Sequence, residues 1–142
     1  MKKAMLCFFL FGIALAQTPG APSPHVTKFV APAYPWKARV VRMQGETTSE
    51  IRVRADGTVE SVNVTMAHPF FRDYVSVALK QWEFESNGKM FTQRVTVRFS
   101  LDDCHDVHSI DANAYRETHV QAQLPQLVDV SMCAELITTD VN

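Results

Sequence analysis

Residues 91–101 read FTQRVTVRFSL, and this alternation is the strongest constraint on what the chain can fold into. Phe91, Val95, Val97, Phe99 and Leu101 share one parity, while Arg94, Thr96, Arg98 and Ser100 share the other. Successive strand side chains point to opposite faces, so the segment reads as an antiparallel strand with one buried face and one wet, basic face. Its oily face needs strands beside it and a layer above it. Ile51, Val53 and Ala55 alternate with Arg52 and Arg54, and Val62 and Val64 follow on a return stretch, Thr58 to Thr65. Between them Asp56-Gly57 predicts a two-residue hairpin turn, since both positions tolerate positive φ. Val59 falls on the wrong parity and is assigned to a strand edge or to contact with the tail.

The covering layer is helical. Phe71, Val75, Ala78, Leu79 and Trp82 recur at the period of an α-helix. Tyr34-Pro35 opens a shorter helix carrying Trp36, Val40 and Met43 at helical spacing, with Ala38 and Val41 beside them, and Gly45 is placed as its left-handed stop. The expected order is helix, strand, strand, helix, strand. Two short helices packed on one face of a three-stranded antiparallel sheet, an α+β fold, hide every one of these stripes. Residues 34–101 make a small core, which leaves room for the tail or a partner to add buried surface.

The flanks read differently. Lys2-Lys3, an uncharged run from Ala4 to Ala16 and the small-x-small end Ala14-Leu15-Ala16 form a secretory signal peptide, 1–16, with cleavage expected after Ala16. The run is too short for a spanning helix, which needs about 20 apolar residues, so no stable membrane insertion is expected of the cleaved protein. Residues 17–33, holding Pro19, Pro22, Pro24 and Pro32, read as a proline-rich, partly extended leader. Charge then splits along the chain. Residues 34–101 carry ten Lys/Arg and seven Asp/Glu, net +3, whereas the extension 102–142 carries one arginine and eight acids, net −7. Within that extension Ala112 to Gln123 predicts a weak helix, Leu127 to Val130 a short strand or covering segment, and Cys133 to Ile137 one more turn or extended piece. Outside the signal the cysteines are Cys104 and Cys133. In an oxidising compartment such a pair is a candidate disulfide, closing about 30 residues and stabilising by roughly 3–4 kcal/mol on the chain-entropy account.

The residue patterns point away from chemistry. Cys104, His105, Asp106 and His108, with His119 further on, have metal-ligand character, but no second paired-ligand motif accompanies them. A solvated acidic segment explains them, and no metal or other cofactor is expected. No nucleophile elbow occurs, adjacent Cys104 and His105 would point apart on a strand, and the acids Glu83 and Glu85 flank Phe84 at an exposed edge. The chain is therefore read as a non-enzyme with no catalytic residues. Arg52, Arg54, Arg94 and Arg98 share a sheet face without the interleaved aromatics that single-strand recognition uses, so nucleic acid is not an expected partner.

The same residues, taken in order, resemble the C-terminal domain of the TonB energy-transducing proteins. Tyr34-Pro35 to Gly45, the turn at Ala55-Asp56-Gly57, the following Val59, Val62 and Val64, the helix and exit Phe71, Val75, Ala78, Leu79, Trp82 and Phe84, and the closing Val95, Val97 and Phe99 reproduce that family's order and spacing. Tyr34, Pro35, Gly45, Asp56, Gly57, Ala78, Trp82 and Phe84 are the residues expected to determine the fold. The resemblance implies a periplasmic domain that binds protein or peptide partners, with short segments of outer-membrane receptors adding a strand to an open sheet edge. It places that edge on the closing strand, at Arg94, Thr96, Arg98 and Ser100. The cleavable signal and short leader depart from a motor-coupled transducer, and Ser86 stands where the family commonly has proline. The reading is thus a periplasmic adaptor module without motor coupling. Two further readings stay open: an anchored transducer component that keeps its N-terminus, and a structural, self-associating envelope protein forming a homodimer. Whether the acidic extension lies along the closing strand separates a bare edge from a covered one.

Overall fold

The computed structural model describes residues 23–102 and 118–133. Its elements are β1 (Val26–Lys28), α1 (Trp36–Val40), β2 (Gly45–Val53), β3 (Val59–Met66), α2 (Pro69–Leu79), β4 (Glu83–Phe84), β5 (Phe91–Asp102), β6 (Thr118–Gln123) and β7 (Leu127–Cys133). The α+β expectation holds, but the sheet is wider than three strands. It has five, in the order β3-β2-β5-β7-β6, and a separate two-stranded piece joins β1 to β4. The first three neighbours are antiparallel, as their alternation requires. The two extra strands come from the extension, and β7 joins β5 in parallel.

The inner face carries the core. Ile51 and Val53 of β2, Val95, Val97 and Phe99 of β5 and Val128 and Val130 of β7 are buried against Phe71, Val75 and Leu79 of α2. Phe71 and Phe99 stack with centroids 4.4 Å apart, and Tyr34 meets both rings edge-on. The Tyr34 hydroxyl donates to the Met43 carbonyl at 2.6 Å, and burial pushes its pKa up to about 12. Gly45 earns its place by closeness, since a Cβ there would meet the Phe71 ring at 3.3 Å.

Five local readings change. Trp36 is 62 % exposed and Val40 54 %. Helix α1 turns Ala38 into the core, so positions two residues before and after it lie about 200° away, facing water. The left-handed residue after α1 is Arg42, at φ 51°, while Gly45 opens β2. Val59, at the start of the outermost strand β3, is buried in the core. A bulge makes Arg52 face Ser61 while Val53 faces Val59, and this extra residue switches Val59 to the core side. The β2–β3 turn is a three-residue loop. Arg54 N–H donates to Thr58 O, Gly57 N–H to Arg54 O, and only Gly57 takes positive φ, at 93°. Asp56 instead accepts from the Thr58 N–H and hydroxyl, which holds its carboxyl below the usual range. Finally, residues 118–123 form a strand where a weak helix was expected.

Residues ahead of Tyr34 are built into the structure. Val26 pairs with Phe84 and Lys28 with Glu83, and the Trp82 ring N–H donates to the Val30 carbonyl at 2.8 Å. The segment expected to be a signal peptide, Cys7, Cys104 and its neighbouring histidines, Ala112 to Glu117 and the stretch beyond Cys133 lie outside the described residues. Among the described residues no helix is long and apolar enough to cross a membrane.

Thr47 and Ser49 are the buried polar side chains of the described core. Thr47 reaches the Val97 carbonyl at 3.4 Å, but Ser49 Oγ has no partner. A buried hydroxyl without a bond carries a desolvation penalty of about 1–3 kcal/mol. Ser49→Ala is therefore expected to raise stability by about 1 kcal/mol, read as a higher urea midpoint at unchanged slope.

Candidate peptide-pairing edge

A strand can extend a sheet only where backbone N–H and C=O groups face outward unpaired. The edge expected to offer them is the far side of β5. There the chain supplies its own strand. From Thr96↔Leu127 through Arg98↔Asp129 and Ser100↔Ser131 to Asp102↔Cys133, seven residue pairs run in parallel register. Thr96, Arg98 and Ser100 thus lie inside the sheet, and Arg94, two residues before the ladder, lies beyond its reach. The β6–β7 hairpin places β7 against β5 and β6 outermost, because the chain first passes to the rim and then folds back.

The outer faces of these strands are polar. Arg98 Nε bonds Glu46 at 2.9 Å and its Nη1 lies 3.8 Å from Asp129, and the Glu46 bond raises its pKa. Arg52 and Arg54 share Glu60 at 3.9 and 3.8 Å, and Glu50 stands opposite Arg94. The arginine face is in large part neutralised by its own carboxylates. Exposed pairs of this kind are screened by solvent, so their effect is on charge balance more than stability.

The two rims differ. At β3, α2 supplies cations to the backbone: Arg72 Nη1 donates to the Val64 carbonyl at 3.1 Å, and Lys80 Nζ to that of Glu60. At β6 no such guard stands among the described residues. Thr118, His119, Val120, Gln121, Ala122 and Gln123 are all exposed, and they pair only inward, to β7. Sequence reading missed this edge. The available signal was the Thr118/Val120/Ala122 alternation before Leu124-Pro125 and a second alternating run. Its weakness is its polarity, for an outermost strand has little to bury.

The other residues singled out by sequence sit in supporting roles. Asp56 and Gly57 form the loop on which β4 docks, with Phe84 N–H bonded to Gly57 O at 2.9 Å. Tyr34, Ala78, Trp82 and Phe84 are core, and Pro35 precedes α1. His119 is exposed on β6, and the described residues hold no cluster of three His, Cys, Asp or Glu placed to bind a metal.

Residues 30–101 match the Gram-negative bacterial TonB protein C-terminal family. The chain is similar to Protein TonB of Klebsiella aerogenes, 33% identical over 82 residues, which is 56% of this chain and 33% of that protein. It is also similar to Protein TonB of Klebsiella pneumoniae, 27% identical over 92 residues, 63% of this chain and 38% of that protein. The matched length is thus well under half of either relative. Among solved structures, the solution NMR structure of the Pseudomonas aeruginosa TonB C-terminal domain aligns at TM-score 0.44 and 21% identity, covering 54% of this chain and 83% of that one.

Proposed function

We propose, on the premise that this chain belongs to the Gram-negative bacterial TonB C-terminal family, that it is a periplasmic protein-binding module for segments of envelope or outer-membrane proteins, working without a motor. Family membership supports the partner class. The parallel β5–β7 ladder is the observation that carries the rest. A domain that fills the far side of its closing strand from Thr96 onward with its own extension does not hold that part of the strand ready for a receptor segment. Recruitment then depends on another surface or on displacing β7. The signal-like segment 1–16 supports export. A Cys104–Cys133 disulfide belongs to the same proposal, supported by the burial and disulfide-bonded state of Cys133 at the end of β7. Such a bond ties the extension to the end of β5.

Three measurements on protein from cells test this. N-terminal sequencing is expected to give Gln17, and non-reducing peptide mapping to give a linked Cys104–Cys133 pair. Crosslinking in intact envelopes, with mass-spectrometric identification, is expected to return outer-membrane proteins. A retained Met1 in the inner-membrane fraction would replace the module with an anchored transducer component. Crosslinks confined to copies of the chain itself would replace it with a self-associating protein.

A further inference from the structure

We infer that the groove between α2 and residues 30–33 is a docking site for an amphipathic helix of a partner protein, one that carries a basic side chain beside its apolar stripe. The inference rests on the proposed partner-binding role and names a surface for it away from the sheet edges. Helix α2 has two stripes. Phe71, Val75, Ala78 and Leu79 face the core. Beside them Phe70, Tyr74, Val77 and, in the turn after the helix, Gln81 follow one another at the spacing of a coiled-coil seam. This second stripe is turned outward, with Val77 63 % and Tyr74 39 % exposed.

The chain gives this stripe one wall. The Trp82 ring N–H holds the Val30 carbonyl, so the stretch after Val30 runs beside α2. Between the two lies a groove of about 400 Å³, lined by Val30, Ala31 and Ala33 on one side and Tyr74, Val77 and Ala78 on the other. A smaller recess of about 190 Å³ continues it toward Pro35, Pro69 and Phe70, and Asp73 and Tyr74 line both. Two recesses in line along one helix are holes for successive side chains of a second helix laid alongside. The backbone of α2 is bonded within the helix and has no edge to extend, so the partner is held by its side chains.

Charge selects the partner. Asp73 is the charged side chain that lines the larger groove, and it has no ion pair among the described residues. The cations of α2 are turned the other way, since Arg72 and Lys80 bond the Val64 and Glu60 carbonyls of β3. Gln81 gives its side-chain N–H to the Val77 carbonyl at 3.0 Å, which leaves its oxygen as an acceptor. Lys37 lines the smaller recess, so the partner's cation is placed at the larger one, near Asp73 and Gln81. A second copy is the poorer occupant, because its own seam brings another Asp73 while its Arg72 and Lys80 are held by β3.

The test uses the full chain and stapled helical peptides of about 14 residues, about 21 Å long and enough to span α2. One carries Leu along a single seam with Lys at its flanks, a second has Glu in place of Lys, and a third is the unstapled Leu/Lys peptide with a central proline. The Leu/Lys helix is expected to shift amide resonances of 70–81 and of 30–33, and to bind about fivefold tighter than the Leu/Glu helix at low salt. The proline-broken peptide is expected not to bind. Val77→Lys, an exposed substitution that leaves the fold unchanged, is expected to weaken the Leu/Lys helix at least about tenfold by setting an unpaired charge in the apolar contact. Asp73→Lys is expected to reverse the preference, so that the Leu/Glu helix binds tighter, an outcome that loss of structure does not produce. Shifts confined to the sheet or to α1, equal binding of the two charge types, no reversal with Asp73→Lys, undiminished binding of the proline-broken peptide, or self-association of the chain that Val77→Lys removes would each overturn the assignment. If any of these appears while crosslinking still returns outer-membrane proteins, the module stands and this surface is struck from it.

Discussion

Gly57→Ala is expected to bring the domain to the edge of unfolding. Two costs combine at this position. Gly57 sits at φ 93°, a conformation that costs an L-residue about 1–2 kcal/mol. The larger cost is spatial. A Cβ built there falls 2.0 Å from the Phe84 carbonyl oxygen and 3.0 Å from its carbon. Those are backbone atoms, so no rotamer change relieves the overlap. β4 must move away, breaking the Phe84 N–H bond to Gly57 O and the Thr58–Glu83 bridge and lifting the Phe84 ring out of the core. Loss of part of that packing raises the total to about 4 kcal/mol or more, against a typical whole stability of about 5–15 kcal/mol. Equilibrium urea unfolding measures it. Gly57→Asn separates the two costs. Asn tolerates positive φ but keeps the Cβ, so it is expected to recover only the conformational part, about 1 kcal/mol, and to remain strongly destabilised by the overlap. An Asn variant near wild-type stability would show that the overlap is relieved in another way.

Trp82→Ala is the second large effect, at about 3–5 kcal/mol. The side chain is 1 % exposed and packs against Phe29, 5.3 Å away between ring centroids, and Phe84, 6.3 Å away. Its ring N–H holds the Val30 carbonyl, which fastens the stretch ahead of Tyr34 to the domain. The truncation therefore has a local signature as well as a global one. Protease cleavage between Val26 and Ala33 is expected to rise more steeply than global unfolding alone accounts for. Trp82→Phe keeps most of the packing and loses only the hydrogen bond, an expected cost of about 1 kcal/mol. A Trp82→Ala protein within 1 kcal/mol of wild type would remove Trp82 from the centre of the core.

The legible parts of the fold were those where a long period met a buried layer. Phe71, Val75, Ala78 and Leu79 could hide together only on a helix, and Val95, Val97 and Phe99 only on a strand; all seven are buried. Shorter signals were weaker guides. Helix α1 has five residues, and a stripe over so short a length does not choose between the small Ala38 and the large Trp36 as the inward side. Ala38 is the one that turns inward, buried in the same core cluster as Tyr34, Phe71 and Phe99. For Val59, a bulge in its own strand at Glu60 outweighed parity, and nothing in the residues of β3 announces where that bulge falls.

What the amino-acid order alone determined is which faces of β2, α2 and β5 turn from water, because side-chain period is a local property carried by each segment. It also set the charge division between a +3 domain and a −7 extension. Only the tertiary structure decided what lies beside β5 and which strand is outermost among the described residues. Backbone donors and acceptors are alike at every non-proline residue, so the choice between β7 and an outside strand is not written in any one segment. It follows from where the turn at Leu124-Pro125-Gln126 returns the chain, and from the burial that Val128, Val130 and Met132 gain once β7 lies inside and the polar β6 outside.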